Sequence, residues 1–135
     1  MIIESDKVIV NQTSKELFDF LADFNNIGKL MPQQVEDWKS DGNSCSFTIK
    51  GMATLGMAYE SKTQNTEIVI KKEGKAPFDF KLLCKIQEQT AATAQLQLVF
   101  DADLNMMMRM MAEKPLTNFL NLLVHRYAEI AGKSA

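Results

Sequence analysis

Six consecutive segments between Val35 and Asp101 alternate apolar with polar residues, and this period of two constrains the fold more than any other feature. Such alternation is typical of strands that have one buried face and one face in water. The connections are short, and Asp41-Gly42-Asn43 suits a hairpin turn. Because consecutive strands with local connections pair antiparallel, the pattern predicts an antiparallel meander of six strands.

One further strand and two short helices precede the meander. β-Branched residues within residues 1–12 predict the first strand. The sequence Thr13-Ser14-Lys15-Glu16 has the spacing of a capping box, so we expect a helix from there to about Asp23. We expect Asn25-Asn26 to cap a second brief helix that continues through Leu30.

The chain ends in a long amphipathic helix. Pro115 suits the first position of a helix, and residues 105–113 are predicted to form one or two helical turns before a break or kink at this proline. Six apolar residues then recur every three or four positions and form one stripe about 100° wide. They are Leu116, Phe119, Leu120, Leu123, Tyr127 and Ile130.

These elements predict an α+β fold in a single domain of residues 1–135. Its seven-stranded antiparallel sheet curves because strand twist accumulates. The long C-terminal helix covers the concave face, and the two short helices lie between strands 1 and 2. A helix across a curved sheet leaves space beside the strands that it contacts, and either large side chains or a ligand occupy that space.

Composition argues against several classes of function. The 135 residues carry a formal net charge of −2, so no basic surplus indicates a nucleic-acid partner. No apolar run approaches the roughly 18 residues of a transmembrane helix, and Glu4 and Asp6 stand where a signal peptide would be basic and then apolar. We therefore expect a cytoplasmic protein. Cys45 and Cys84 are predicted to be buried free thiols.

The sequence offers no residue set for nucleophilic or metal-based catalysis. Its single histidine, His125, points away from the apolar stripe of the last helix. Serine–histidine–acid sites, cysteine–histidine sites and most zinc sites would need this residue, so we predict no catalytic residue, metal or cofactor. Tyr59 and Tyr127 lie on predicted inward faces, where each hydroxyl either orients the polar end of a ligand or bonds to the protein or to water.

Five of the nine methionines lie in the segment Met106–Met111. Side chains that span six consecutive helical positions cannot all face one core. Because thioethers are flexible and polarizable, the segment suits an adaptable gate at a pocket mouth, or a contact with a second copy of the chain or a membrane surface. Irregular filling of the core beneath the last helix is the alternative.

Four short stretches resemble a known family. They are Thr13–Asp23, with the sequence TSKELFDFLAD, Met31-Pro32, Asp103-Leu104-Asn105 and Lys114-Pro115-Leu116. Together with the order of elements along the whole chain, they resemble small bacterial members of the START-like, birch-pollen-allergen-like superfamily, also called SRPBCC. The resemblance implies a helix-grip fold with a cavity for hydrophobic small molecules such as lipids, sterols, quinones or polyketides. It implies no universal set of catalytic residues.

We therefore predict non-catalytic binding or transport of a lipid, quinone or polyketide-like molecule between the sheet and the C-terminal helix. Two alternatives stay open: an enzyme similar to polyketide cyclases or dehydratases, and a protein-interaction module of the co-chaperone or ribosome-associated type. A homodimer is a further candidate assembly. The predicted ligand-binding residues are Phe47, Ile49, Leu55, Met57, Tyr59, Phe80, Leu82, Leu98, Phe100, Met107, Met111, Phe119, Leu123 and Tyr127.

Overall fold

Strands and helices follow one another in the order that the sequence predicts. A computed structural model describes residues 1–74 and 76–134, with side chains through residue 131. Its strands are β1 (Ile2–Glu4), β2 (Val8–Val10), β3 (Val35–Ser40), β4 (Ser44–Ile49), β5 (Ala53–Thr63), β6 (Glu67–Lys72), β7 (Phe80–Glu88) and β8 (Ala94–Ala102). Its helices are α1 (Ser14–Leu21), α2 (Phe24–Ile27) and α3 (Met106–Ser134), and a 3-10 turn at Gly28–Leu30 follows α2.

All of these strands belong to one antiparallel sheet. Its order is β1-β8-β7-β6-β5-β4-β3, and β2 also pairs with β8. The strands from β3 to β8 form the predicted meander, in which each strand pairs with the next along the chain. The curved sheet, the long C-terminal helix and the short helices that follow the first strand confirm the predicted helix-grip arrangement.

The predicted first strand is interrupted at residues 5–7, so the sheet contains eight segments instead of seven strands. β1 and β2 pair with β8 in registers that differ by one residue. Ser5 is buried at the interruption, where its N–H donates to the Leu98 carbonyl oxygen and its Oγ accepts the Leu98 N–H, both at 2.9 Å. A serine hydroxyl therefore takes the place of a backbone carbonyl in the ladder, as a bulge permits.

Both short helices begin with a side-chain cap. The capping box of α1 is confirmed, because Thr13 Oγ1 accepts the Glu16 N–H at 3.1 Å and Glu16 Oε1 accepts the Thr13 N–H at 3.0 Å. At α2 the cap is Asp23, whose Oδ1 accepts the Asn25 N–H at 2.8 Å. The predicted cap at Asn25-Asn26 is wrong, because Asp23 is the residue with the extended backbone that a cap requires.

α3 is one continuous helix, so the predicted break at Pro115 is wrong, whereas a kink at this proline stays a prediction. The helix begins after Asn105, whose Oδ1 accepts the Met108 N–H at 2.9 Å. Pro115 lies inside the helix on an exposed side and has no N–H to donate to the carbonyl one turn earlier. Ala112 and Leu116 are both buried, and we attribute the continuity of the helix to this packing on either side of the proline.

One hydrophobic core joins the inner face of the sheet to α3. Ile130, predicted to belong to the apolar stripe of α3, is 38% exposed, whereas Val124 and Ala131 are buried. The buried members of the predicted stripe are Leu116, Phe119, Leu120, Leu123 and Tyr127.

Among the described residues, no helix combines the length and the apolar character that crossing a bilayer requires.

Gly56 allows β5 to approach the residue that follows β6. The Glu73 N–H donates to the Gly56 carbonyl oxygen at 2.9 Å, and a Cβ at position 56 would overlap the Glu73 carbonyl oxygen.

We expect Gly56→Ala to lower the free energy of unfolding by about 1–3 kcal/mol, because the added methyl group overpacks this contact. Urea denaturation measures this free energy. Ser61→Ala, in the exposed part of β5, should change it by less than about 0.5 kcal/mol. A Gly56→Ala variant as stable as the unmodified chain would contradict this close approach.

Candidate functional site

An apolar cavity lies between α3 and the inner face of the sheet. Its volume is about 40 Å³. All of the lining side chains are aliphatic, aromatic or sulfur-containing, so the cavity offers burial of apolar surface and no charge. They are Leu21, Ile27, Leu30, Met31, Phe47, Leu55, Met57, Ile70, Leu82, Cys84, Leu96, Leu98, Phe100, Leu116, Phe119, Leu120 and Leu123.

Eight of the fourteen predicted ligand-binding residues line this cavity. The period of two places alternate side chains of β4, β5, β7 and β8 on the inner face of the sheet, and the helical stripe of α3 faces them. α3 contributes Phe119 and Leu123. The sheet contributes Phe47, Leu55, Met57, Leu82, Leu98 and Phe100.

Nine further lining residues are absent from the predicted set. Those on the strands and on α3 follow the same periodicities as the predicted residues, so the sequence could have identified them. They are Ile70, Cys84, Leu96, Leu116 and Leu120. The others lie on or next to the short helices, and no sequence pattern indicates where those helices contact the sheet. They are Leu21, Ile27, Leu30 and Met31.

The other six predicted ligand-binding residues lie outside the cavity. Ile49 is buried, but it lines a separate surface cleft. Phe80 is buried against Phe100, with ring centroids 4.9 Å apart, and so packs within the core instead of lining the cavity. The remaining four are two tyrosines and two methionines, namely Tyr59, Tyr127, Met107 and Met111.

Both tyrosine hydroxyls donate to the protein itself. Tyr59 donates to the Leu21 carbonyl oxygen at 2.6 Å, and its ring stacks on Phe24 with centroids 4.2 Å apart. Tyr127 donates to Gln12 Oε1. Burial raises the pKa of both phenols, to about 12 for Tyr127, so both stay protonated near neutral pH. Both hydroxyls therefore connect elements of the fold, and neither lines the cavity.

Four methionines at the start of α3 form an exposed surface, which we call the methionine face. Each side chain is between 73% and 80% exposed. At 100° per residue the four positions span an arc of about 140° on one side of the helix. Met108, by contrast, packs against the core. Within the segment Met106–Met111, it is therefore the one methionine that fills the core, as the alternative predicts. The methionine face comprises Met106, Met107, Met110 and Met111.

A surface cleft of about 330 Å³ adjoins the cavity. Phe119 lines both spaces and is 9% exposed. Its ring centroid lies 6.2 Å from that of Phe47, which lines the cavity. Phe119 therefore stands between the cleft and the cavity. The cleft is lined by Gln34, Ile49, Lys50, Lys114, Pro115, Asn118, Phe119 and Leu122.

Ionisable groups near the cavity are few. Among the described lining residues Cys84 is the one ionisable group, and burial raises the pKa of its thiol to about 12. Cys45 and Cys84 are buried free thiols, as predicted.

His125 is exposed, and its Nε2 lies 2.8 Å from Asp6 Oδ2. The Asp6 N–H in turn donates to Asn121 Oδ1 at 2.7 Å. In the described part of the chain, no group of three or more His, Cys, Asp or Glu side chains could hold a metal ion.

Comparison with solved structures identifies the fold. No protein-family model matches the sequence, and no curated protein matches it significantly. A START superfamily protein from Mycobacterium smegmatis is similar, with a TM-score of 0.74 and 11% identity over 99% of each chain. The chain has the START-type helix-grip fold.

Two other structures share the START-type fold. XoxI from Bacillus cereus has a TM-score of 0.76 at 10% identity, over 96% of this chain and 94% of that one. Norcoclaurine synthase from Thalictrum flavum, in complex with dopamine and hydroxybenzaldehyde, has a TM-score of 0.74 at 8% identity, over 100% of this chain and 88% of that one. Such low identities show a shared fold alone. They confirm the predicted resemblance at that level.

The Tyr59 hydroxyl connects β5 to the end of α1. We expect Tyr59→Phe to lower the free energy of unfolding by about 1–2 kcal/mol in urea denaturation, because the Leu21 carbonyl oxygen loses a donor. Binding of the neutral apolar fluorophore N-phenyl-1-naphthylamine should be unchanged, because the hydroxyl does not line the cavity. A loss of affinity for the fluorophore without a loss of stability would show that this hydroxyl contacts the ligand.

Proposed function

We propose that the chain is a cytoplasmic protein that binds or transports a hydrophobic small molecule non-covalently between the sheet and α3. The observation that carries this proposal is the cavity lining, in which the Cys84 thiol is the most polar side chain. Burial of apolar surface contributes about 25 cal/mol per Å², so such a lining favours lipid-like molecules over polar ones. The two unpaired cysteines suit a reducing compartment.

A ligand must enlarge the cavity in order to bind. The volume of about 40 Å³ is well below the roughly 150 Å³ of an engineered apolar cavity that holds benzene. Phe119 is the side chain to displace, because it stands between the cavity and the 330 Å³ cleft. Rotation of this ring toward solvent would join the two spaces and open a route from the surface.

The enzyme alternative requires a group that can transfer a proton inside the cavity. Cys84 is the one ionisable group among the described lining residues, and its raised pKa keeps the thiol neutral near pH 7. The hydroxyls of Tyr59 and Tyr127 already donate to acceptors of the protein. These features favour binding over catalysis as the function of the cavity.

Native mass spectrometry of gently purified protein tests the proposal directly. We expect a species heavier than the chain, and we expect organic solvent to release a lipid-like molecule that accounts for the added mass. Protein that carries no added mass and binds no added apolar compound would contradict the proposal.

A larger side chain at Cys84 should weaken binding. Because Cys84→Leu adds apolar volume to the lining, we expect the dissociation constant for N-phenyl-1-naphthylamine to rise about tenfold, a loss of ~1.4 kcal/mol, in fluorescence titration. Cys45→Leu is the matched control, because Cys45 is a buried thiol of the same sheet that does not line the cavity.

Both leucine variants overpack the core, so each should lose about 1–3 kcal/mol of stability and still unfold cooperatively. Equal affinity of the two variants for the fluorophore would mean that it binds elsewhere. That result would count against the cavity as the ligand site.

The methionine face supports a second candidate function, that of a protein-interaction module. Its side chains present adaptable apolar surface to water, whereas large apolar side chains are more often buried. Such a face suits contact with a protein partner of the co-chaperone or ribosome-associated type. It equally suits a second copy of the chain, which would form a homodimer.

Charges on the methionine face should prevent self-association. If a second copy covers this face, sedimentation velocity should show dimers of the unmodified chain at micromolar concentration and monomers of the Met107→Lys/Met111→Lys variant. Because both side chains are 73% exposed, the unfolding free energy should change by less than about 0.5 kcal/mol. Ile2→Lys, at an exposed apolar position on β1, is the control and should keep the dimer. An unmodified chain that stays monomeric would exclude the homodimer.

A further inference from the structure

The charged side chains that line the surface cleft all have one sign. Lys50 and Lys114 line it together with the amides of Gln34 and Asn118, and none of its described lining residues is acidic. Three other open clefts on the described surface each include at least one carboxylate. These two lysines make the lining locally positive on a chain with a formal net charge of −2, which favours an anion over a cation at this cleft.

The two lysines that line the cleft belong to different parts of the fold, one to the sheet side and one to α3. Lys50 lies in the turn between β4 and β5, and its N–H donates to the Gln34 carbonyl oxygen at 2.8 Å. Gly51, with φ of +76°, supplies the left-handed conformation that this turn requires. Lys114 lies on α3, one helical turn before Asn118. The sheet side and the helix side of the cleft therefore each contribute one cation.

Both ammonium groups are available to a ligand. Lys50 Nζ lies 3.4 Å from Glu36 Oε1, but the two side chains are 58% and 49% exposed. Ion pairs this exposed are weak, so an incoming anion can compete with Glu36. Lys114 forms no salt bridge with any residue whose side chain the structure describes.

We propose that the ligand is an amphipathic acid, whose carboxylate binds between Lys50 and Lys114 while its apolar chain passes Phe119 into the cavity. This inference rests on the proposed function and adds the chemical class of the ligand. A carboxylate held at the cleft stays in contact with water, so it avoids the cost of burying a charge. The amides of Gln34 and Asn118 can donate hydrogen bonds to the same carboxylate oxygens.

Compounds with the same hydrocarbon chain and different head groups test this inference. Dodecanoate, dodecanol and dodecylamine are compared by displacement of N-phenyl-1-naphthylamine at concentrations below those at which they form micelles. We expect dodecanoate to bind about fivefold more tightly than dodecanol, as two weak ion pairs allow, and dodecylamine to bind least tightly. Lys50→Gln/Lys114→Gln should remove the advantage of dodecanoate and leave the affinity for dodecanol unchanged.

Lys7→Gln/Lys85→Gln is the matched control, because these two lysines line a different surface cleft. This variant should keep the preference for dodecanoate. Equal affinity of the unmodified chain for the acid and the alcohol would overturn the inference, and so would a preference that survives in the Lys50→Gln/Lys114→Gln variant. In either case dodecanol would still bind and the proposed function would stand. Failure of the fluorophore and of all three compounds to bind would overturn both.

Discussion

Burial of one side of α3 against the inner face of the sheet is the interaction on which the rest of the structure depends. A sheet with one apolar face must cover that face, and α3 supplies the longest apolar surface among the helices. The same contact creates the cavity, because a helix and a curved sheet cannot touch along their whole length. Leu116, Leu120 and Leu123 thus hold α3 in place and also line the cavity.

Periodicity was sufficient to predict the order of the strands and much of the cavity wall. Phe47, Leu82 and Leu98 were predicted correctly to share one face, because the direction of a side chain in a strand depends only on its position along that strand. The ends of helices were harder to predict. Asp23 caps α2 in place of Asn25-Asn26, because Asp and Asn are equally good caps and composition does not choose between neighbouring candidates. α3 continues past Pro115 because tertiary packing overrides the local preference of proline for a helix start.

The rest of the site depends on distances between strands and helices. The period of a sequence pattern gives the direction of side chains within one element and says nothing about these distances. Alternation places Tyr59 on an inward face, but it does not show that the end of α1 brings an acceptor to the hydroxyl. Nor does it give the volume of the cavity, which is a small difference between the space enclosed and the side chains that fill it. The exposure of Met107 and Met111 similarly follows from how α3 is rotated about its axis on the sheet.

The two ends of α3 are held differently. After Pro115, Asn121 and His125 bond to Asp6, and Tyr127 bonds to Gln12, so side chains connect this longer part to the segment around β2. The shorter part before Pro115 presents the methionine face to solvent, and the proline removes one backbone hydrogen bond between the two parts. Ala112 and Leu116 flank the proline and are both buried, so packing against the core offsets the backbone hydrogen bond that α3 lacks there.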